Sequence, residues 1–329
     1  MTDKKLFTSG NEGLGQLVKK ARRKSLIKSL IISIIASMVV LFSLYWLGSH
    51  VLQRAIDQSG DKALWSMVSG ANVEGTGASY TFSLFSAIET RDMEKYIDGV
   101  SLNWGAEETE YTMFGTKKPL SSVTSTSTTH EEGERPISYF QGERVIEFFH
   151  PEVNYKEVYD DRPLLENIPE YMVAEMAFSF DQAYPLEEVI DVFGDQLEWY
   201  WIDTYTDEEI TDFNEMNSVR EEEGVVFDHL HTLMGSWVCG YPYAGLSAED
   251  SAQSFIHTIE YLQEETNEFE YEINQMINGI TNDGEKEFVP ENIEIIGVVV
   301  TGRADELSQF NEVDFIRGAT LGATAKKFD

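Results

Sequence analysis

Ser29-Leu-Ile-Ile-Ser-Ile-Ile-Ala-Ser-Met-Val-Val-Leu-Phe-Ser-Leu-Tyr-Trp-Leu47 contains no charged residue, no proline and no glycine. As an α-helix its nineteen residues rise about 28 Å, close to the hydrocarbon thickness of a bilayer. Residues 29–48 are therefore read as a transmembrane helix. A secretory signal peptide shares the basic start and apolar core, but its core is normally about 7–15 residues long and ends at a small-x-small site. Leu47-Gly48-Ser49 is a poor site of that kind, which favours an uncleaved anchor. Lys19, Lys20, Arg22, Arg23, Lys24 and Lys28 precede the span, and a strongly acidic chain follows it. This bias sets the topology: a single pass through the plasma membrane, with the N-terminus cytoplasmic and the bulk outside.

The chain has 329 residues and a formal net charge of −34. Residues 1–28 carry +6, which leaves −40 for the remainder. A body so acidic excludes nucleic acid as an external partner, because phosphate contacts need a basic surface. It favours cations or cationic peptides, although solubility alone also accounts for such charge. One cysteine, Cys239, allows no intramolecular disulfide, so the outer part has to be stable through its core. Cys239 reads as a small buried residue.

In the inner segment Leu14, Leu17, Val18 and Ala21 fall at i, i+3, i+4 and i+7. They form a narrow apolar stripe on a basic helix, suited to anionic membrane lipid or to a protein partner. Beyond the span Val51, Leu52, Ala55 and Ile56 continue the helical period to Gly60, and a glycine-broken passage leads to a strand at Tyr80–Phe85. Ser121–Thr129 reads as a surface loop, and Ile137–Phe140 with Val145–Phe149 as a hairpin. Residues 49–160 are expected to form a small strand-rich module, with a boundary near Asp160-Asp161-Arg162-Pro163.

Residues 161–329 read as a second module. Met172, Ala174, Met176, Phe178 and Phe180 alternate, the pattern of a half-buried strand. Pro185-Leu-Glu-Glu188 starts a helix with Val189, Val192 and Phe193 inward and a stop at Gly194. Leu197–Tyr205 returns as a strand. Ser247-Ala-Glu-Asp250 has a capping-box pattern and opens a helical period that runs to Asn278-Gly279, with a break possible near Thr266-Asn267. Ile293–Thr301 is nearly all β-branched, as in a central strand covered on both faces. A short helix with Leu307 and Phe310 inward then leads to a strand at Phe315–Leu321. The fold class is α+β: one N-terminal transmembrane helix, a strand-rich module, and a distal module with helices layered on a sheet.

Ser25-Leu26-Ile27-Lys28 matches the S-x-x-K pattern but sits at the membrane edge without S-D-N or K-T-G companions, and no G-x-S-x-G, zincin, Walker or Rossmann motif is present. His229 and His231 near Asp228 could lie on one strand face, but ordinary hydrogen-bonded histidines explain them better. Asn282-Asp283-Gly284 reads as a turn. Trp199, Trp201, Trp237, Tyr241 and Tyr243 read as core rather than as a ligand groove. Neither a cofactor nor a metal nor a catalytic residue is expected.

The order of features resembles a known family. Leu17-Val-Lys-Lys-Ala-Arg-Arg-Lys-Ser-Leu-Ile-Lys28 with the apolar run is similar to the N-terminal region of membrane-bound sigma-factor regulators of Gram-positive bacteria. Glu175–Asp181, Tyr184, Glu188-Val189, Trp199–Tyr205, Gly240-Tyr-Pro242 and Gly297–Gly302 through Ile316–Thr324 resemble their C-terminal domain. The resemblance implies a non-enzymatic bitopic regulator, an anti-sigma factor or accessory subunit. Its partners would be an extracytoplasmic-function sigma factor, a second membrane regulator subunit, or both, with an unidentified ligand or protein outside. The chain departs from that pattern in two ways: it has no His-x-x-x-Cys-x-x-Cys site, and 28 inner residues are few, since a standard interface uses about 20–30 residues a side. The alternatives are an anchored surface-binding or structural protein without signalling, and an extracellular hydrolase.

Overall fold

The computed structural model describes residues 4–124, 126–129, 135–222, 233–265 and 268–327, with side chains from residue 17 onward except 218–222. Helix α1 spans Lys4–Gln58 without a break. Every residue from Leu17 to Leu47 is exposed, and Gly48 is the first that is buried. Among the described residues α1 is the one helix long and apolar enough to cross a membrane, which supports a single membrane-spanning topology.

Beyond Gly48 the same helix packs on protein. Leu52, Ala55 and Ile56 meet Ala87, Tyr111 and Met113. A second helix, α2 (Asp61–Val68), follows Gly60 where the sequence suggested only a glycine-broken passage. Four strands then form an antiparallel meander: β1 (Glu74–Phe82), β2 (Ser86–Ile97), β3 (Val100–Thr112) and β4 (Lys117–Ser121). The strand expected at Tyr80–Phe85 stops at Phe82, because Ser83 N donates to Ser86 O (2.8 Å) and closes a turn.

The buried face of β2 carries Ala87, Glu89, Arg91, Met93, Lys95 and Ile97. Half of these are charged, and each charged one has a partner, as burial requires. Arg91 donates to Glu89 (2.6 Å) and to the carbonyl of Ser59 (3.0 Å). Tyr111 also donates to Glu89 (2.8 Å), and Lys62 of α2 lies 3.8 Å from that carboxylate. The corner between α1 and α2 is thus bonded to the meander.

Three short strands follow: β5 (Ser127–Thr129), β6 (Ile137–Phe140) and β7 (Glu143–Arg144). The expected hairpin is corrected here. Gln141 (φ 50°) and Gly142 (φ 90°) make a two-residue turn, so β6 returns at once as β7. The apolar segment from Val145 to Phe149 goes elsewhere: its strand β8 (Glu147–Phe148) pairs with Leu233–Met234. Near the expected module boundary, Asp161 accepts from Arg135 (2.9 Å), Arg144 (2.9 Å) and the amide of Leu321 (3.0 Å).

The rest of the chain builds a five-stranded antiparallel sheet. In chain order come β9 (Met172–Pro185), α3 (Leu186–Phe193), β10 (Leu197–Ile202), α4 (Asp207–Glu222), β11 (Leu233–Met234), β12 (Gly240–Pro242), α5 (Ala248–Glu265), α6 (Glu270–Thr281), β13 (Glu294–Arg303), α7 (Ala304–Leu307) and β14 (Ile316–Lys326). The sheet order is β12-β10-β13-β9-β14. β13 lies between the parallel pair β9 and β10, and β9 lies between β13 and β14, which is a split β-α-β arrangement. The distal region is α+β, as its sequence indicated.

One sheet face is covered by α3, α5, α6 and α7 over Met176, Phe178, Phe180 and Tyr200. Phe193 of α3 stacks on Phe180 with ring centroids 5.7 Å apart. The opposite face is covered by Ile146 and Phe148 over Ala177, Trp199 and Trp201. β9 is therefore buried on both faces from Val173 to Phe180 rather than half-buried. Val192 faces outward at 38 % exposure, against the inward expectation, while Val189 and Phe193 are fully buried. The helical period to residue 279 is divided between α5 and α6; Thr266 and Asn267 lie outside the described residues.

Candidate functional site

The meander meets the five-stranded sheet at the turn between β2 and β3, where Asp98 (φ 49°) and Gly99 (φ 75°) both adopt left-handed backbone. Asp98 N donates to Thr301 Oγ1 (3.0 Å), and that hydroxyl donates to Glu198 Oε2 (3.1 Å). Lys327 Nζ donates to Asp98 Oδ2 (2.5 Å). One step back along β2, Lys95 Nζ lies 2.7 and 2.8 Å from the two carboxylate oxygens of Glu175. Glu175 also accepts from Asn72 Nδ2 (2.8 Å) and from Ala323 N (3.3 Å), and the ammonium sits 4.6 Å from the centre of the Trp104 ring. Lys95 and Glu175 are 2 % and 0 % exposed. A pair so deeply buried is held by geometry: losing either partner strands a charge in a dry interior.

Glu198 titrates abnormally at this junction. Burial pushes its carboxyl up to about 7, and the neighbouring Glu175, Glu74 and Asp98 add to the rise although the Thr301 hydroxyl opposes it. The folded form therefore keeps a proton that the unfolded chain releases near the ordinary value of 4.5. That contribution to stability is complete below the ordinary value and is lost as pH rises through about 7. Glu198→Gln is expected to raise the unfolding free energy by about 1–2 kcal/mol at pH ~8 and to change it little at pH ~4.5. Urea unfolding across that pH range checks this. Parallel curves for the two proteins would rule the carboxylate out.

Beside the junction is a cleft of about 490 Å³, in the size range of small-ligand sites. Trp65 of α2, Trp104 of β3, Tyr205, Trp237 and Phe269 provide its aromatic surface. Trp65 and Phe269 stack with centroids 4.7 Å apart, and Trp237 is 60 % exposed. Glu107, Glu209, Glu268 and Glu272 line the cleft with the ammonium of Lys62, which burial and nearby Lys117 hold below its ordinary pKa, and Glu268 is paired with Lys117. Aromatic faces with surrounding carboxylates suit a cationic group such as an amine or guanidinium. Cys239 also lines the cleft. Burial pushes its thiol up to about 12, so at neutral pH it is not a thiolate nucleophile.

Of the aromatic residues read as core, Trp199, Trp201 and Tyr241 are buried, but Trp237 belongs to the cleft. The apolar stripe and the basic cluster lie on α1, away from this site. Leu17, Val18, Ala21, Lys19, Lys20, Arg22, Arg23, Lys24 and Lys28 are all exposed, and the side chain of Leu14 lies outside the described residues. Asp228, His229 and His231 also lie outside them. Among the described residues no group of three His, Cys, Asp or Glu side chains is placed to hold a metal. Asn282 (φ 48°) and Asp283 (φ 53°) are left-handed residues closing α6.

Lys95 and Glu198 carry no signal in the sequence, and Glu175 figures there only within the resemblance at Glu175–Asp181. One further signal was available, because Glu175 is the lone acid inside the apolar run from Met172 to Phe180. A charge in a strand core implies a partner elsewhere in the chain.

Both Glu175 and Glu198, with the whole five-stranded sheet up to Ala323, fall in one recognisable region. Residues 165–323 match the family model Sigma factor regulator C-terminal. No curated protein and no solved structure matches the chain. The matched region holds β9 to β13, the helices over them and most of β14; α1, α2 and the meander precede it. The cleft is shared: Tyr205, Trp237 and Glu272 lie in the matched region, and Trp65, Trp104 and Glu107 lie before it.

Proposed function

We propose that the chain is a single-pass plasma-membrane regulator of an extracytoplasmic-function sigma factor, acting as an anti-sigma factor or as an accessory subunit of one. In this reading residues 1–28 are cytoplasmic, 29–48 span the membrane, and 49–160 and 161–329 are two modules outside the cell. The matched region and the apolar helix support a membrane-associated regulatory role of the sigma-factor-regulator type.

One observation carries the reading further: a continuous bonded path runs from the matched sheet to the inner segment. Glu175 grips Lys95 on β2, Arg91 of the same strand grips Ser59 beside α1, and α1 continues without interruption to Lys4. β2 has 12 residues and covers about 40 Å. A ligand or protein that prefers one arrangement at the cleft would shift that path by its differential affinity. The inner end would then present the Leu17, Val18 and Ala21 stripe differently to a sigma factor or to a second regulator subunit.

Deleting the gene is expected to derepress one regulon under a single sigma factor, as read by transcript profiling. Deleting residues 1–18, with the basic cluster and span retained, should have the same effect. An unchanged profile in both strains would overturn the proposal. The shared cleft favours a second reading, an anchored surface-binding protein without signalling, which predicts silence from the residue 1–18 deletion.

A further inference from the structure

Two turns of the meander stand where α1 enters the protein. The β1–β2 turn carries Phe82, Leu84 and Phe85, exposed by 64, 65 and 53 %, and the β3–β4 turn carries Phe114, exposed by 84 %. They are bonded to each other, since Met113 N donates to Phe85 O (2.8 Å). The β3–β4 turn abuts the helix, and the β1–β2 turn is held beside it through that bond: a β-carbon on Gly48 would stand 3.0 Å from Met113 Cβ, and one on Gly115 would stand 3.7 Å from Val51 Cγ1.

The apolar run ends at Leu47, and Val51 lies about 6 Å further along the helix axis. The headgroup layer is itself only about 5–7 Å deep on each side of a bilayer. A bilayer spanned by the apolar run would therefore have the two turns at headgroup level, alongside the interfacial pair Tyr45 and Trp46. Charge agrees with this placement. In a chain of net charge −34, residues 80–87 and 111–120 contain no acid, and the second stretch carries Lys118 and also Lys117, which is paired with Glu268.

We propose that these turns form a membrane-seated collar, with Phe82, Leu84, Phe85 and Phe114 inserted into the phospholipid leaflet around the exit of α1. Exposed aromatic and aliphatic side chains at that depth bury apolar surface in lipid, as interfacial anchors do. The collar would hold the meander at a fixed height and tilt, so that motion at the junction with the matched sheet passes into α1. The proposal rests on α1 spanning a bilayer, and its test separates the two.

The full chain carrying Cys239→Ser is reconstituted in phosphatidylcholine vesicles with an environment-sensitive fluorophore attached through Leu84→Cys or Phe114→Cys. Leu41→Cys labels the span, and Tyr171→Cys, exposed by 58 %, labels a surface tied through Lys327 to the β2–β3 turn at the opposite end of the meander. Labels at 84 and 114 are expected to show blue-shifted emission and to lose it to doxyl-labelled phosphatidylcholine, as at 41 and unlike 171. If 84 and 114 behave like 171 while 41 is quenched, the anchor stands and the collar is wrong. If 41 is also unquenched, the spanning reading falls and takes the collar with it. Blue-shifted labels at 84 and 114 that resist lipid quenching would mean that protein, such as a second copy of the chain, covers the turns, which also overturns the proposal.

Discussion

Lys95→Ala is expected to lower the unfolding free energy of the full chain in detergent by about 3–5 kcal/mol, the range for stranding one member of a buried ion pair. Glu175 would keep only Asn72 and the Ala323 amide as donors, for a carboxylate with no exposed surface. The double substitution Lys95→Met with Glu175→Gln removes both charges and retains much of the volume. It is expected to recover most of the loss, because the cost lies in the unpaired charge more than in the missing attraction. Urea titration followed by tryptophan fluorescence distinguishes these outcomes. A Lys95→Ala protein within about 1 kcal/mol of wild type would show that the junction tolerates a lone charge or admits water. The pair is also the strongest link in the path from the matched sheet to α1, so the regulatory reading requires Lys95→Ala to alter output before it abolishes folding.

Gly279→Ala is expected to destabilise by about 3 kcal/mol, although alanine is the better helix former by about 1 kcal/mol. Asn278-Gly279 reads in sequence as a helix stop, yet α6 continues to Thr281 and is closed by Asn282. Gly279 is inside the helix because of what faces it. A β-carbon there would stand 2.1 Å from both the carbonyl carbon and the oxygen of Thr204, main-chain atoms that cannot turn aside. The substitution has to push α6 off the end of β10 and so open one wall of the cleft. A thermal melt decides the sign: a higher Tm for Gly279→Ala would mean that helix propensity outweighs the contact.

Some features were legible because one physical constraint dominates them locally. Lipid demands an unbroken apolar run, so Ser29–Leu47 identifies itself without reference to any other residue. A strand covered on both faces reads as continuous Ile and Val, as in β13. The helix after Ser247 is marked by its own cap, where Asp250 N donates to Ser247 Oγ (3.2 Å).

Where the meaning of a residue depends on a distant partner, local pattern was silent. β2 escaped recognition because Glu89, Arg91 and Lys95 occupy its inward face, so its apolar alternation is broken by charges neutralised elsewhere. The segment from Val145 to Phe149 reads as the hairpin partner of Ile137–Phe140 because nothing local tells a strand to pair with Leu233–Met234. The cleft draws its walls from α2, β3, the loop after β10 and α6, and only folding brings these together. The sequence by itself determined that the chain has one apolar span and an acidic α+β body, since composition and periodicity act over short range. Tertiary structure decided which charges lie buried together, which strands pair and where the cleft opens, because those depend on contacts between residues far apart in the chain.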